Sequence, residues 1–196
     1  MVALRKRPPE PMTLTEFLAW EPKDRSGRTW QLIDGEPLAM APGNETHGAI
    51  QNEIAALLRN HLLERDSPCR SITEPGIVPQ TGASRNYLVP DIGVTCAPPS
   101  DGHALPEPVL LVEILSPSNA KATRANVWPY TTIPSVREIT VVHSTRIEAE
   151  LLRRHPDGNW PDGPQIFGPG DTLTLSSIDF VAPLSLLYRT TIFATR

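Results

Sequence analysis

The sequence predicts a mixed α/β fold (α+β in its mixture of elements), with a curved, mostly antiparallel sheet flanked by helices. Short apolar runs rich in Val, Ile and Leu alternate with turn residues, as is typical of strands. One long segment repeats its apolar residues at helical spacing. The 22 prolines are scattered along the chain, which favours many turns and strand ends. For 196 residues we expect a flexible N-terminal arm over 1–11 and a single domain over 12–196.

The first elements are predicted to be a short helix, a hairpin and a long helix. Residues 13–20 form the short helix, with a threonine as its cap. Two apolar runs flank Asp34-Gly35, which is a strong hairpin signal. Residues 47–65 form the best helix of the chain, because one apolar stripe follows its length. That stripe consists of Ile50, Ile54, Leu57, Leu58 and Leu62.

The rest of the chain is predicted to be mainly strands. Residues 70–79 and 87–96 flank a turn-rich segment, so we expect an antiparallel hairpin. Residues 108–118 form a buried strand, and 119–130 favour a helix that Pro129 would strain. The remaining predicted elements are strands over 136–143, 146–154 and 172–181 and a short helix near 183–188.

Charge and composition exclude several classes of protein. The net charge of −4 argues against a protein that coats nucleic acid non-specifically. No apolar run is long enough to span a bilayer, and the N-terminus lacks the apolar core of a signal peptide. Cys69 and Cys96 are too few for a disulfide framework, so we expect a reduced, cytoplasmic setting.

Two lone carboxylates stand in otherwise apolar strands. Glu113 is the only charge between Pro108 and Ser118, and Asp91 is the only charge between Tyr87 and Cys96. A buried carboxylate is costly unless a cation, a donor or a metal compensates it. An oxygen-rich pair suits Mg²⁺ or Mn²⁺, which would support phosphodiester hydrolysis. The alternative is a buried ion pair with an arginine, such as Arg124 or Arg137.

The two acids also carry a family resemblance. Pro90-Asp91 followed by the run Glu-Ile-Leu-Ser-Pro-Ser at 113–118 resembles the Uma2 family (DUF820) of the PD-(D/E)xK nuclease superfamily. Further segments that resemble the family are residues 32–36, His47-Gly48, residues 86–91 and residues 133–138.

The resemblance implies a restriction-endonuclease-like core with an N-terminal hairpin. It also implies that Asp91 and Glu113 are metal ligands and that the carbonyl of Ile114 is a third ligand. The expected cofactor is Mg²⁺ (or Mn²⁺), the expected substrate is DNA, and the expected reaction is phosphodiester hydrolysis.

The motif helix departs from the family's pattern. The family usually has a helix lysine four residues before the tyrosine of its motif helix, and here Asn126 precedes Tyr130 by four residues. An asparagine brings no charge to a scissile phosphate, where a lysine would stabilise charge. Lys121 and Arg124 are the nearby cations, so Lys121 and Asn126 are both candidates for the position beside the phosphate.

Several other residues keep two interpretations. His47 is either a proton acceptor or phosphate contact, or a half-buried histidine at a helix start. The acids that either join the site or lie on the surface are Glu36, Glu53 and Glu74. Trp128 and Tyr130 are interpreted as core residues in preference to a base-stacking pair.

Three functions are compatible with these patterns. The first is a Mg²⁺-dependent nuclease with reduced activity. The second is an interaction or regulatory module on a decayed nuclease fold, and the third is a metal-dependent hydrolase of a small phosphoester. A homodimer is a candidate assembly, because exposed sheet edges need cover.

Overall fold

A six-stranded mixed sheet forms the centre of the computed structural model. The structure describes residues 10–21, 28–117 and 120–194, without the side chains of Lys121 and Ala122. The strand order is β3-β4-β5-β6-β7-β8. Every neighbouring pair is antiparallel except β5 and β6. The strands are β3 (Arg70–Thr73), β4 (Ile92–Thr95), β5 (Pro108–Leu115), β6 (Glu138–His143), β7 (Ala149–Arg153) and β8 (Gln165–Phe167).

Strand β5 lies near the middle of this sheet and is buried along almost its whole length. Two parallel strands need a long crossover connection. Helix α3 (Ala120–Thr131) provides this connection between β5 and β6. Its proline, Pro129, lies in the last turn and the helix ends two residues later, so only the end of the helix has to accommodate it.

The two faces of the sheet carry two apolar cores. On one face, helix α2 (Glu45–Glu64) packs with the hairpin of β9 (Thr172–Leu175) and β10 (Phe180–Pro183) and with a final 3-10 helix (Leu184–Tyr188). On the other face, helix α3 and the segment after it pack on the sheet. That second core contains Leu111, Tyr130, Ile133, Val136 and Ile139. Because strand side chains alternate, Glu113 lies on the same face as Leu111, beneath α3.

A small N-terminal unit stands beside the sheet. Helix α1 (Leu14–Leu18) begins at Thr13, whose side chain forms a capping box with Glu16. Strands β1 (Trp30–Ile33) and β2 (Glu36–Ala39) form the hairpin. Its turn residues have positive φ angles of 50° at Asp34 and 85° at Gly35, as a type I′ turn requires. An antiparallel bridge between Leu32 and Tyr87 joins the hairpin to the rest of the chain.

Most of the predicted elements are confirmed, and the structure differs from the prediction at three places. The predicted strand 172–181 is wrong, because the chain turns after Leu175 and Asp179 adopts a positive φ of 52°. The short strand β8 was missed, and the strand predicted for 70–79 ends at Thr73. There Glu74 leaves the extended region with a φ of 49°. The predicted arm over 1–11 lies outside the described residues except for its last two.

The two cysteines form a disulfide, so the expectation of reduced cysteines is wrong. In the antiparallel register, Arg70 on β3 faces Thr95 on β4. The next residues outward, Cys69 and Cys96, therefore face each other and are joined by a disulfide. Among the described residues, none of the helices combines the length and apolar character needed to cross a membrane.

Candidate metal centre

A cleft of about 710 Å³ separates the N-terminal hairpin from the central sheet and from the start of α2. Its wall includes His47, Asp91, Glu113 and Asn126, which the sequence analysis singled out. The structure therefore brings together both lone carboxylates, the helix-start histidine and the asparagine at the family's lysine position.

Asp91 is buried immediately before β4, and both of its carboxylate oxygens have partners. Its Oδ2 accepts a hydrogen bond from the backbone N–H of Ile114 on β5, at 2.6 Å. Its Oδ1 lies 2.9 Å from Nε2 of His47 on α2. Gln51, one turn further along α2, donates to the carbonyl of Asp91 at 3.1 Å. The acid is thus fixed between the sheet and the long helix.

Glu113 is buried in β5, where α3 provides its hydrogen-bond donors. The hydroxyl of Tyr130 donates to Oε1 at 2.8 Å, and the amide of Asn126 approaches the same oxygen at 3.5 Å. Burial, and secondarily the nearby charge of Asp91, raises the pKa of Glu113 to about 8, although the two hydrogen bonds oppose this shift. Without a bound cation, Glu113 therefore holds a proton in neutral solution.

A chain of amides supports Glu113 from the side of the hairpin. The amide nitrogen of Asn126 donates to Oε1 of Gln31 on β1 at 3.2 Å, and the N–H of Val89 donates to the same oxygen at 3.3 Å. Gln31 was missed in the sequence analysis. Its signal was weak, because a single polar residue in a hairpin strand is also typical of a solvent-facing position.

Tyr130 is a hydrogen-bond donor and not a charged group. It is fully buried, and burial together with the nearby carboxylate of Glu113 raises its pKa well above the ordinary value. The predicted core role of Tyr130 is confirmed. Trp128, which was also expected in the core, is 76% exposed, so that part of the prediction is wrong.

His47 lies in the first turn of α2, which Asn44 caps by accepting the N–H of His47 at 2.9 Å. Its Nδ1 is buried and has no partner among the described residues. A proton on Nδ1 would be a buried donor without an acceptor, which is costly. The geometry therefore favours the neutral tautomer that donates from Nε2 to Asp91. In this arrangement His47 orients the carboxylate, and Gly43 packs so closely on the ring that a Cβ there would lie 2.5 Å from it.

Neither of the arginines considered as partners pairs with the two acids. Arg124 binds both oxygens of Glu150, at 2.7 and 3.1 Å, and among the described residues Arg137 forms no ion pair. No described lysine or arginine forms an ion pair with Asp91 or Glu113. The side chain of Lys121, the other predicted cation, lies outside the described residues. Within the described structure, hydrogen bonds alone compensate the two acids.

The three further acids have different surroundings. Glu53 is buried but pairs with Arg189 at 2.7 Å, on the side of the final 3-10 helix. Glu36 is exposed on β2 and does not line the cleft. Glu74 does line the cleft, where its carboxylate accepts the hydroxyl of Thr29 at 3.4 Å.

A second group of acids lies on the same face of the sheet. His143 is buried at the end of β6, with Nε2 2.8 Å from Glu150 and 3.3 Å from Glu148. These three residues are close enough together to hold a metal ion. However, Arg124 pairs with Glu150 and Arg146 pairs with Glu148, so two positive charges already balance the two carboxylates. Hydrogen bonds from these arginines lower the pKa of both acids.

The mixed sheet, the helices on both of its faces and the acid pair on neighbouring strands define a restriction-endonuclease-like α/β protein. A family model for Uma2, described as "Putative restriction endonuclease", matches residues 14–185. The chain belongs to the Uma2 family, as its sequence predicted.

Two known proteins are similar over nearly the whole chain. An uncharacterised protein of Synechocystis, slr1290, is 30% identical over 177 residues, which cover 89% of this chain and 90% of that protein. A crystal structure described as a putative nuclease belonging to DUF820, from Anabaena variabilis, has a TM-score of 0.71. It is 18% identical and covers 91% of this chain and 98% of its own, so it supports the fold alone.

Proposed function

We propose that this protein is a divalent-metal-dependent nuclease that hydrolyses DNA phosphodiester bonds, with Asp91 and Glu113 as the metal ligands. The observation that carries the proposal is the buried pair of acids in the cleft. Their mutual repulsion and burial raise the pKa of Glu113, and no described lysine or arginine relieves it. A divalent cation would relieve both costs at once.

The donor set fits Mg²⁺ or Mn²⁺, because both ions prefer carboxylate and carbonyl oxygens. Asp91 and Glu113 would hold the ion, with the carbonyl of Ile114 as the predicted third ligand. The bound ion would polarise a phosphoryl oxygen and lower the pKa of a coordinated water.

The chain's own residues hold the two acids in place. His47 and the N–H of Ile114 orient the carboxylate of Asp91. Tyr130 and Asn126 orient that of Glu113. Donors on the oxygens of both acids restrict their rotation, as second-shell partners do in metal sites.

Titration calorimetry with Mn²⁺, followed by cleavage of plasmid DNA in Mg²⁺ or Mn²⁺, tests the proposal. We expect D91A and E113A each to abolish the binding heat and the cleavage. The matched control is E150Q, which changes an acid on the same face of the sheet whose charge an arginine already balances. The nuclease proposal fails if the wild-type protein cuts no DNA with either ion.

A second candidate is an interaction module on a decayed site. The observation that favours it is Asn126, which hydrogen-bonds inward to Gln31 where the family usually has a lysine. Mn²⁺ binding that depends on Glu113, without any cleavage, would favour this module. Cytoplasmic location and a homodimer remain predictions, and sedimentation velocity tests the dimer.

A further inference from the structure

We propose that Arg28 contacts the substrate phosphate in this cleft and provides the positive charge that Asn126 lacks. The inference rests on the proposed nuclease function. It concerns a residue outside the acid pair that also lines the cleft and lies just before the N-terminal hairpin.

The need for a cation follows from the charges of the site. Two carboxylates and one divalent ion sum to no net charge, whereas phosphodiester hydrolysis builds negative charge on the phosphate. Asn126 is neutral, and its amide nitrogen already faces Gln31 and Glu113. The acid pair and its supporting amides therefore supply no positive side chain to the phosphate.

Most other described arginines near the sheet are already paired. Arg124 binds Glu150, Arg153 binds Glu138, and Arg189 binds Glu53. Among the described residues that line the cleft, Arg28 is the single lysine or arginine. It is exposed and forms no hydrogen bond or ion pair with any described residue.

The backbone beside Arg28 is held in place at the mouth of the cleft. The carbonyl of Thr29 accepts the N–H of Met40 at 2.9 Å, and the hydroxyl of Thr29 donates to Glu74 at 3.4 Å. The N–H of Glu74 donates in turn to the carbonyl of Asp91 at 3.0 Å. The last two of these hydrogen bonds link the start of the hairpin to the first candidate ligand. A guanidinium placed there offers a planar set of donors that suits phosphate.

The direct test is the salt dependence of DNA binding by the full chain. Fluorescence anisotropy with a short labelled duplex, with Ca²⁺ replacing Mg²⁺, gives the slope of log affinity against log salt. A residue that contacts a phosphate contributes about one to this slope. We expect R28A to weaken binding and to reduce the slope by about one, and R28K to keep the slope.

The matched control is R59A, because Arg59 is also exposed and unpaired among the described residues but lies on α2 outside the cleft. We expect R59A to keep both the affinity and the slope. Thermal unfolding of each variant checks that the fold is intact. An unchanged slope in R28A, an equal loss in R59A, or a wild-type protein that binds no DNA would overturn the assignment.

Cleavage assays separate this inference from the proposed function. If the wild-type protein cuts DNA and R28A cuts it at the same rate, Arg28 is not the phosphate contact and the nuclease proposal stands. If the wild-type protein binds DNA but never cuts it, the nuclease proposal fails. The salt slope of R28A then still decides whether Arg28 contacts phosphate.

Discussion

Two groups with the same composition lie beside each other at the central sheet. Each combines a histidine with two carboxylates: His47, Asp91 and Glu113 in the cleft, and His143, Glu148 and Glu150 beside it. Glu113 lies opposite Val141, and Val141 lies opposite Glu150, so one strand separates the two groups. Two strand spacings put the backbones of Glu113 and Glu150 roughly 10 Å apart.

The groups differ in what balances their charge. Arg124 and Arg146 hold the glutamates of the second group, and their hydrogen bonds lower the pKa of both acids. Glu113 has only neutral donors in the described structure, and burial raises its pKa to about 8. The two groups therefore share their residue types, and the balance of charge is what separates them.

The largest expected effect is the pH dependence of stability without metal. The pKa of Glu113 is about 8 in the folded chain, above its ordinary value of 4.5, so the folded state holds the extra proton. The contribution of Glu113 to stability is therefore full below about pH 4.5 and falls as the pH rises toward 8. The fall is about 1.4 kcal/mol for each pH unit. Urea denaturation in a chelator measures it, and E113Q should flatten the curve.

The second group is expected to give a pH dependence of stability with the opposite sign, and it therefore serves as the control. Because the pKa of Glu150 is lowered, its contribution to stability is present above pH 4.5 and is lost as the pH falls. E150Q should therefore change only the acid side of the curve. A wild-type curve that is flat between pH 5 and 8 would contradict the difference between the groups.

A smaller effect is expected from metal binding at pH 8. An ion that binds only the folded chain stabilises it by about 2.7 kcal/mol at 100 times its dissociation constant. We expect Mn²⁺ to raise the unfolding midpoint of the wild-type protein and of E150Q. The midpoint of E113Q should not move. An equal increase in E113Q would place the ion elsewhere, and its loss in E150Q would place the ion in the second group.

A positive charge added beside Glu113 should make the charge balance of the cleft group resemble that of the second group. N126K places an ammonium where the family usually has a lysine, and the adjoining cleft offers room for the longer side chain. We expect cleavage to rise about tenfold, because a cation near the phosphate stabilises the developing charge. The pH curve should also flatten, since the ammonium lowers the pKa of Glu113. N126Q is the uncharged control, and equal rates for both variants would contradict the role of charge.

The sequence predicted the buried position of the two acids better than it predicted the groups around them. Lone acids in apolar strands identified Asp91 and Glu113, because a charge in a buried run is conspicuous along the chain. The sequence does not show in the same way which acid an arginine pairs with. Whether Arg124 would meet Glu113 or Glu150 depended on the angle at which α3 crosses the sheet. Gln31 was missed for the same reason, since only the folded hairpin brings it to Asn126.

Turns decided where the fold prediction succeeded or failed. Asp34-Gly35 is a local signal and gave the correct hairpin. Ser176 to Asp179 lacks glycine and proline, so the turn between β9 and β10 had no comparable signal. In the folded chain, Nε2 of His61 on α2 lies 2.9 Å from the carbonyl of Ile178 in this turn. The disulfide likewise follows from strand register, which the cysteine count alone does not give.

The smallest expected effect comes from weakening the second group. R124Q removes one arginine but leaves Glu150 its hydrogen bond to His143 at 2.8 Å. Because the side chain of Arg124 is 54% exposed, solvent screens the pair, and the cost to folding is about 0.5–1 kcal/mol. Urea denaturation at pH 7 measures this cost, and R146Q is the matched variant.

Helix α3 carries both Arg124 and the donors to Glu113, so the Mn²⁺ affinity of R124Q tests whether the two groups are independent. We expect the affinity for Mn²⁺ to stay within about twofold, as for sites without shared partners. A larger loss would mean that the Arg124–Glu150 ion pair positions Tyr130 and Asn126. The second group would then stabilise the geometry of the first.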